Sequence, residues 1–288
     1  MLLMLLACAG TSFDDTADDI VDSAFTGDPS GDGPNVVTTT DTEIEGPTEP
    51  LVATTWAPSA PVGNVVMMPG FLATHDMYAP FAAHLASWGW RVVGFTFSAN
   101  GMTDPADHEA DAREAMAVID TLDSGPVVTM GHSKGGKIAV LTAIRDARVD
   151  AVVAWDPVDA GGAPCAIDPE HCHDFSVAPN GYEGDVGEMS GLTVPFLLFG
   201  APAGMANPEE HNADRFWEGA QSPATYVHFE AGTHTDWIGE NDTSAITRRT
   251  EVPWLARELL GASGTEPWLT GEVIQADVDA GMITVESR

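Results

Sequence analysis

Positive charge is scarce in this sequence. Its 288 residues include 11 Lys and Arg against 44 Asp and Glu, a formal net charge of −33, and no Lys or Arg precedes Arg91. A polyanion repels nucleic acid and anionic membrane surfaces, so neither is expected as a partner. The excess acid reads as a solubility device, suited to surroundings salty enough to screen its self-repulsion. Membrane-spanning runs are missing as well: the apolar stretch in residues 1–10 is far too short to cross a bilayer. No internal repeat is apparent, which argues against a solenoid or propeller. Cysteine is limited to Cys8, Cys165 and Cys172. The spacing of Cys165 and Cys172, with His171 and His173 beside them, fits no familiar zinc pattern. In an exported chain the pair reads as a disulfide closing a small loop. The length suits one large domain with a tail, ample for a sizeable core.

Residues 1–10, Met-Leu-Leu-Met-Leu-Leu-Ala-Cys-Ala-Gly, read as the apolar region of a signal peptide. Leu5-Leu6-Ala7-Cys8 resembles a bacterial lipoprotein box. That resemblance implies cleavage before Cys8, a lipid on its thiol and a membrane tether at the cell envelope; the alternative is a secreted protein with an incidental cysteine. Residues 11–50 are rich in Asp, Thr, Gly and Pro and read as an acidic disordered linker. The folded domain is expected over 51–288. Short, nearly continuous apolar runs at Asn64–Met68, Arg91–Phe97, Pro126–Met130, Ala151–Trp155, Pro195–Phe199 and Thr225–Phe229 mark strands buried on both faces. Helical patterns alternate with them: Met77 to Trp88, Ala112 to Leu122 with Asp104-Pro105 as cap and first turn, Lys137–Asp146, Glu209–Gln221 and Ile246–Leu260. The alternation predicts an α/β fold, a doubly wound, mostly parallel sheet with helices on both faces. Residues 158–192 read as a long loop over the active end of the sheet, and Trp268–Val285 as a helical turn plus an edge strand.

One stretch organises the rest. Gly131-His132-Ser133-Lys134-Gly135 is a Gly-x-Ser-x-Gly turn between the run ending at Met130 and the helix starting near Lys137. A strand, a tight turn and a helix lift a serine hydroxyl above the sheet edge. The backbone N–H of Lys134, at a helix N-terminus, can meet a developing oxyanion there. A serine needs a base, and the base needs an orienting acid; in folds with this turn they follow in the order Ser, acid, His. Of the histidines after Ser133, His171 and His173 belong to the cysteine loop and His211 to a charged helix. His228 lies inside a strand-like run and reads as packed. His234 lies in a loop just past the last parallel strand, where ligand sites form. The acid is Asp156, at the end of the Ala151–Trp155 run, because no carboxylate follows the next run until Glu209; Asp159 is the reserve. Asp236 reads as a brace for the histidine loop. The second oxyanion donor is expected from Met67-Met68-Pro69-Gly70-Phe71, with the Phe71 N–H best placed. Met67, Met68, Phe71, Leu72, Met77 and Tyr78 are candidates for an apolar pocket wall.

The elbow Gly131–Ala139 followed by Trp155-Asp156-Pro157-Val158, with Gly232-Thr233-His234-Thr235-Asp236, resembles the chlorophyllase family of the alpha/beta-hydrolase superfamily. Pro69-Gly70-Phe71 and Leu85–Val93 are similar to chlorophyllases and to bacterial cutinase-like polyester hydrolases. Lys134 departs from both, standing where chlorophyllases carry Arg and polyester hydrolases usually Met. The resemblance covers roughly residues 63–240 and implies Ser133, Asp156 and His234 as a triad, Phe71 and Lys134 amides as the oxyanion hole, a small-molecule or lipid-like ester substrate, and no cofactor or metal. The function expected is hydrolysis of carboxylic esters, hydrophobic ones in particular. The alternatives are a hydrolase of amides, thioesters or carbon–carbon bonds, and a surface-tethered domain that binds without turnover.

Overall fold

The computed structural model describes residues 24–104, 107–159, 186–202, 213–221 and 223–288. The signal-peptide and lipid-box expectations, with Cys8, lie outside the described residues, as do Cys165 and Cys172 and the disulfide expected of them.

Nine strands form one sheet: β1 (Thr38–Ile44), β2 (Leu51–Ala57), β3 (Gly63–Met68), β4 (Trp90–Phe95), β5 (Val127–His132), β6 (Ala151–Trp155), β7 (Phe196–Gly200), β8 (Ala224–Phe229) and β9 (Ile283–Ser287). Their order across the sheet is β1-β2-β4-β3-β5-β6-β7-β8-β9. The six strands from β4 to β8 run parallel. Antiparallel strands close both edges, β1 and β2 at one and β9 at the other. β3, β5, β6 and β7 are buried along their whole length, which is why they read as unbroken apolar runs rather than alternating ones.

Both faces of the sheet are covered. On one, Ala112, Ala115 and Val118 of α2 (His108–Ile119), Ile138 and Leu141 of α3 (Lys134–Arg145), and Phe216 of α4 (Ala213–Gly219) pack on Val66, Val152 and Leu198. On the other, Phe81 and Leu85 of α1 (Ala79–Ser87), Trp254 and Leu255 of α5 (Asp242–Leu260) and Ile274 of α7 (Glu272–Asp279) pack on Val65, Val153 and Leu197; α6 (Glu266–Leu269) precedes α7. The C-terminal expectation of a helical turn and an edge strand corresponds to α6, α7 and β9. Among the described residues no helix is long and apolar enough to cross a membrane.

Two expectations need correction. The stretch 11–50 is not linker throughout. Residues 38–44 pair with β2 over seven positions, Thr38 with Ala57 through to Ile44 with Leu51. Ahead of them, Phe25 stacks on Trp88 at 5.4 Å between ring centroids, and Gly33 N–H and Asn35 Nδ2 donate to Ser87. β1 is exposed at every position except Ile44, so it has no apolar stripe to betray it. Its four threonines supply β propensity instead, and its acids discourage pairing of the open edge with another chain. The second correction concerns α2. Its cap is Asp107, whose Oδ1 accepts from Ala110 N at 2.8 Å; Asp104 instead accepts from Gly101 N at 2.6 Å and folds its own loop. Of the predicted 158–192 loop, residues 160–185 lie outside the described residues and Val186–Gly191 is a 3-10 turn.

Candidate active site

The carboxyl ends of β3, β5, β6 and β8 bring the predicted residues together. Ser133 follows β5 at φ 55, ψ −120, a left-handed conformation costly for a residue with a side chain. Close packing holds it there. A Cβ on Gly131 would lie 2.8 Å from Met68 O, and one on Gly135 would lie 2.6 Å from Pro69 O, so only glycine fits on either side of the serine. Ser133 N–H donates to Trp155 O at 3.0 Å, tying the elbow to the end of β6. The Ser133 hydroxyl makes no capping bond to α3, leaving its oxygen for chemistry.

Asp156 is the next residue along β6 and is fully buried, also at positive φ (41°). Its Oδ2 lies 2.5 Å from His234 Nδ1, and its Oδ1 accepts from Ala201 N at 3.1 Å. The end of β7, where the sequence has no carboxylate before Glu209, thus supplies a backbone donor to Asp156 from the neighbouring strand. Asp159 goes elsewhere. It is 1 % exposed and pairs with Lys137 Nζ at 3.3 Å, so the reserve acid belongs to an ion pair under α3 and not to His234.

His234 sits in a braced turn after β8. Asp236 accepts from Thr233 N at 3.0 Å and Thr233 Oγ1 at 2.7 Å, the bracing expected of it. Gly232 at φ 118 leaves room for that carboxylate: a Cβ there would stand 2.9 Å from Asp236 Oδ2. His228, by contrast, points from β8 with its side chain 31 % exposed, so it is only partly packed.

The expected oxyanion donors flank the serine. Lys134 is the first residue of α3, where a helix leaves its N–H unpaired. Gly70, ahead of Phe71, lies so close that a Cβ on it would be 3.2 Å from Ser133 Cβ. The Phe71 N–H has no acceptor among the described residues. Asn100 Nδ2 donates to Gly70 O at 3.1 Å and Ala73 O at 2.8 Å. Across a trans peptide the N–H is antiparallel to the C=O. Pinning Gly70 O therefore fixes the direction of the Phe71 N–H. The Lys134 side chain turns away to Asp111, 3.2 Å from its Nζ, and lies over the Phe97 ring. Burial, opposed by Lys134, raises Asp111 to about 6.

Of the proposed pocket wall, Met67, Met68 and Tyr78 are buried core, while Leu72 and Met77 are exposed. Sequence reasoning missed His132, Asn100 and Glu251. Their one signal was a polar side chain inside an apolar or glycine-rich context. Glu251 is fully buried, accepts from Trp155 Nε1 at 3.2 Å, and is pushed by burial well above the usual carboxylate range. Among the described residues no group of three His, Cys, Asp or Glu comes together in a way that could hold a metal ion.

A mostly parallel sheet, helices on both faces, and a serine on a strand-to-helix elbow define the architecture, and residues 63–180 match the family model for the alpha/beta hydrolase fold. The chain has the alpha/beta hydrolase fold. The match takes in Ser133 and Asp156, ends before His234, and supports a hydrolase. Within that fold the His234 loop follows β8 and Asp156 follows β6, the strand next to β5, which leads into Ser133.

Proposed function

We propose that the protein is a serine hydrolase of carboxylic esters, acting on hydrophobic ones through Ser133, His234 and Asp156. The observation that carries this reading is the buried 2.5 Å contact between His234 Nδ1 and Asp156 Oδ2 beside a serine held at positive φ. A carboxylate on Nδ1 keeps the proton there and leaves Nε2 as the basic nitrogen, the tautomer a serine base needs. Ser133 Oγ attacks the ester carbonyl as His234 Nε2 takes its proton. The Phe71 and Lys134 amides hold the oxyanion, and His234 returns the proton to the leaving alcohol. Water, activated by the same histidine, then releases the acid from the acyl-enzyme.

The surface around the serine supports an apolar substrate. Leu72, Met77, Met102 and Ile238 are 45, 44, 62 and 37 % exposed, and all lie in the segments that follow the carboxyl ends of β3, β4 and β8, Met77 and Ile238 in 3-10 turns. The motif resemblance to chlorophyllases and polyester hydrolases points the same way. Export, with a lipid on Cys8 or as a secreted chain, belongs to the same proposal and rests on residues 5–8 alone.

The test is turnover of p-nitrophenyl acetate, butyrate and palmitate by the full chain and by Ser133→Ala, with a fluorophosphonate to label the nucleophile. The reading expects labelling at Ser133, loss of turnover in the alanine variant, and activity that holds or rises with acyl length. Folded protein that neither turns over an ester nor takes the label at Ser133 sinks it.

A further inference from the structure

His132, the residue before Ser133 in the elbow, is 2 % exposed and is built into a chain of hydrogen bonds. Its Nε2 lies 2.7 Å from the carbonyl oxygen of His234, and its Nδ1 lies 2.8 Å from the hydroxyl of Tyr78. Tyr78 in turn accepts from Gly70 N–H at 3.2 Å. The direction of every link follows from the end groups. A carbonyl only accepts, so His132 Nε2 carries the hydrogen. Burial and the neighbouring His234 push His132 well below the usual imidazole value, so the ring is neutral and Nδ1 is a bare acceptor. Tyr78 must then donate to Nδ1, which leaves its oxygen lone pairs for the Gly70 N–H. Burial also raises the Tyr78 hydroxyl, keeping that proton in place.

These hydrogen bonds join two parts of the proposed site. Gly70 begins the loop that carries the Phe71 amide, and His234 is the base. His132 is also the residue immediately before the nucleophile, and its ring lies against the His234 ring at 4.6 Å between centroids and against Trp237 at 5.9 Å. Tyr78 stacks on Trp155, the residue before Asp156, at 6.2 Å. A protonated His132 would reverse the link to Tyr78: Nδ1–H would donate to the hydroxyl oxygen, which already accepts from Gly70 N–H, and the hydroxyl hydrogen would lose its acceptor. It would also set a positive charge beside the imidazolium that His234 becomes in the transition state.

We propose that Tyr78 and His132 are positioning residues, a neutral hydrogen-bonded strut that sets the oxyanion loop and the base loop at a fixed separation on either side of Ser133. The proposal rests on the serine-hydrolase reading above. Neither side chain touches the reacting atoms; each acts through the Gly70–Phe71 backbone or through His234.

The experiment compares the full chain with Tyr78→Phe, His132→Gln, His132→Asn and the double variant Tyr78→Phe/His132→Gln, using p-nitrophenyl butyrate. Thermal melting fixes the folded fraction of each. Gln can place an N–H near the Nε2 position and reach the His234 carbonyl, whereas Asn is too short. Tyr78→Phe is expected to lower kcat roughly 10-fold to 100-fold with KM changed less than about threefold, since misplacement of catalytic groups is felt in the transition state. His132→Asn is expected to fall further than His132→Gln. Members of one hydrogen-bonded unit lose their effect together, so the double variant should be no slower than about the slower single. Wild-type kcat in Tyr78→Phe, equal activity of the Gln and Asn variants, or losses that multiply in the double variant would each overturn the strut. An inactive, unlabelled wild-type protein would instead overturn the hydrolase reading beneath it.

Discussion

Asp156 and Asp159 are three residues apart, both at most 1 % exposed, and their surroundings make them different groups. Asp156 faces an imidazole at 2.5 Å and a backbone N–H at 3.1 Å, while Asp159 faces the Lys137 ammonium at 3.3 Å. The first partner can take a proton and give it back during a reaction; the second holds a fixed charge. Between them, Pro157 and Val158 carry the chain over Ser133, with Val158 N–H donating to Ser133 O at 3.4 Å. A buried carboxylate gains a chemical role only through the group opposite it. The same sequence neighbourhood therefore holds one acid fit to orient a base and one fit to lock a helix to a loop.

The comparison breaks most visibly in turnover. Asp156→Asn should lower kcat about 10⁴-fold with the fold intact, because the amide favours the wrong His234 tautomer. Steady-state kinetics beside a melting curve check it. An Asp156→Asn enzyme within tenfold of wild type would return the role of acid to another group. Asp159→Asn should act in the opposite column. It removes the carboxylate charge facing Lys137 in a site with 0 % exposure, while the Asp159 carbonyl still accepts from Nζ; the loss is on the order of 3–5 kcal/mol in denaturant unfolding, and kcat per folded molecule stays within several-fold. If Asp159→Asn instead abolished turnover in folded protein, the division between the two acids would be wrong.

A third buried carboxyl sharpens the contrast. Glu251 feels the attraction of Arg248 but makes no salt bridge among the described residues: its hydrogen-bond partner is the Trp155 indole, and Oε1 has no partner there. With the folded value raised well above 4.5, its stabilising contribution is fully present below pH about 4.5 and is lost as pH rises through the folded value. Glu251→Gln keeps an acceptor for Trp155 and cannot ionise. The variant should match wild type near pH 4 and then gain on it by roughly 1.4 kcal/mol per pH unit, until the buried acid itself ionises. Unfolding curves at several pH values test this, and a pH-independent difference would mean Glu251 is ionised in the native state.

How much of this was legible in the sequence depends on what each residue's partners are. The buried parallel strands announced themselves as apolar runs, and the elbow as Gly131, Ser133 and Gly135, because packing there tolerates nothing else. Asp156 is legible as a strand-end residue because a residue's place along a strand fixes where it emerges, and it lies against His234 while Asp159 lies against Lys137. The edge strand β1 was missed because pairing needs backbone, not side chains, and Thr38–Ile44 looks like solvated linker. In the sequence Tyr78 reads as a pocket-wall candidate, and nothing singles out His132. Their roles come from partners 54 and 102 residues away, Tyr78 to His132 and His132 to His234, which no local pattern encodes.

The finest division lies between the two lysine–aspartate pairs around the elbow. Lys137 with Asp159 is sealed in the core, while Lys134 with Asp111 sits nearer the surface, at 8 and 5 % exposure, and shares its ammonium with Ala99 O at 3.3 Å. Glu114 and Asp107 add like charge beside Asp111, and burial outweighs the attraction of Lys134, giving about 6 against 3.8. Between those values the native state holds a proton that the unfolded chain has lost. The contribution of Asp111 is thus full below pH about 4 and is lost as pH rises through about 6. The stability difference between wild type and Asp111→Asn should therefore shift against wild type by about 2–3 kcal/mol from pH 4 to pH 7, with no further drift above. Chemical denaturation in parallel at those pH values reads it. A flat difference would mean that Asp111 is ionised throughout, and the outer pair would then be the same kind of fixed lock as the inner one.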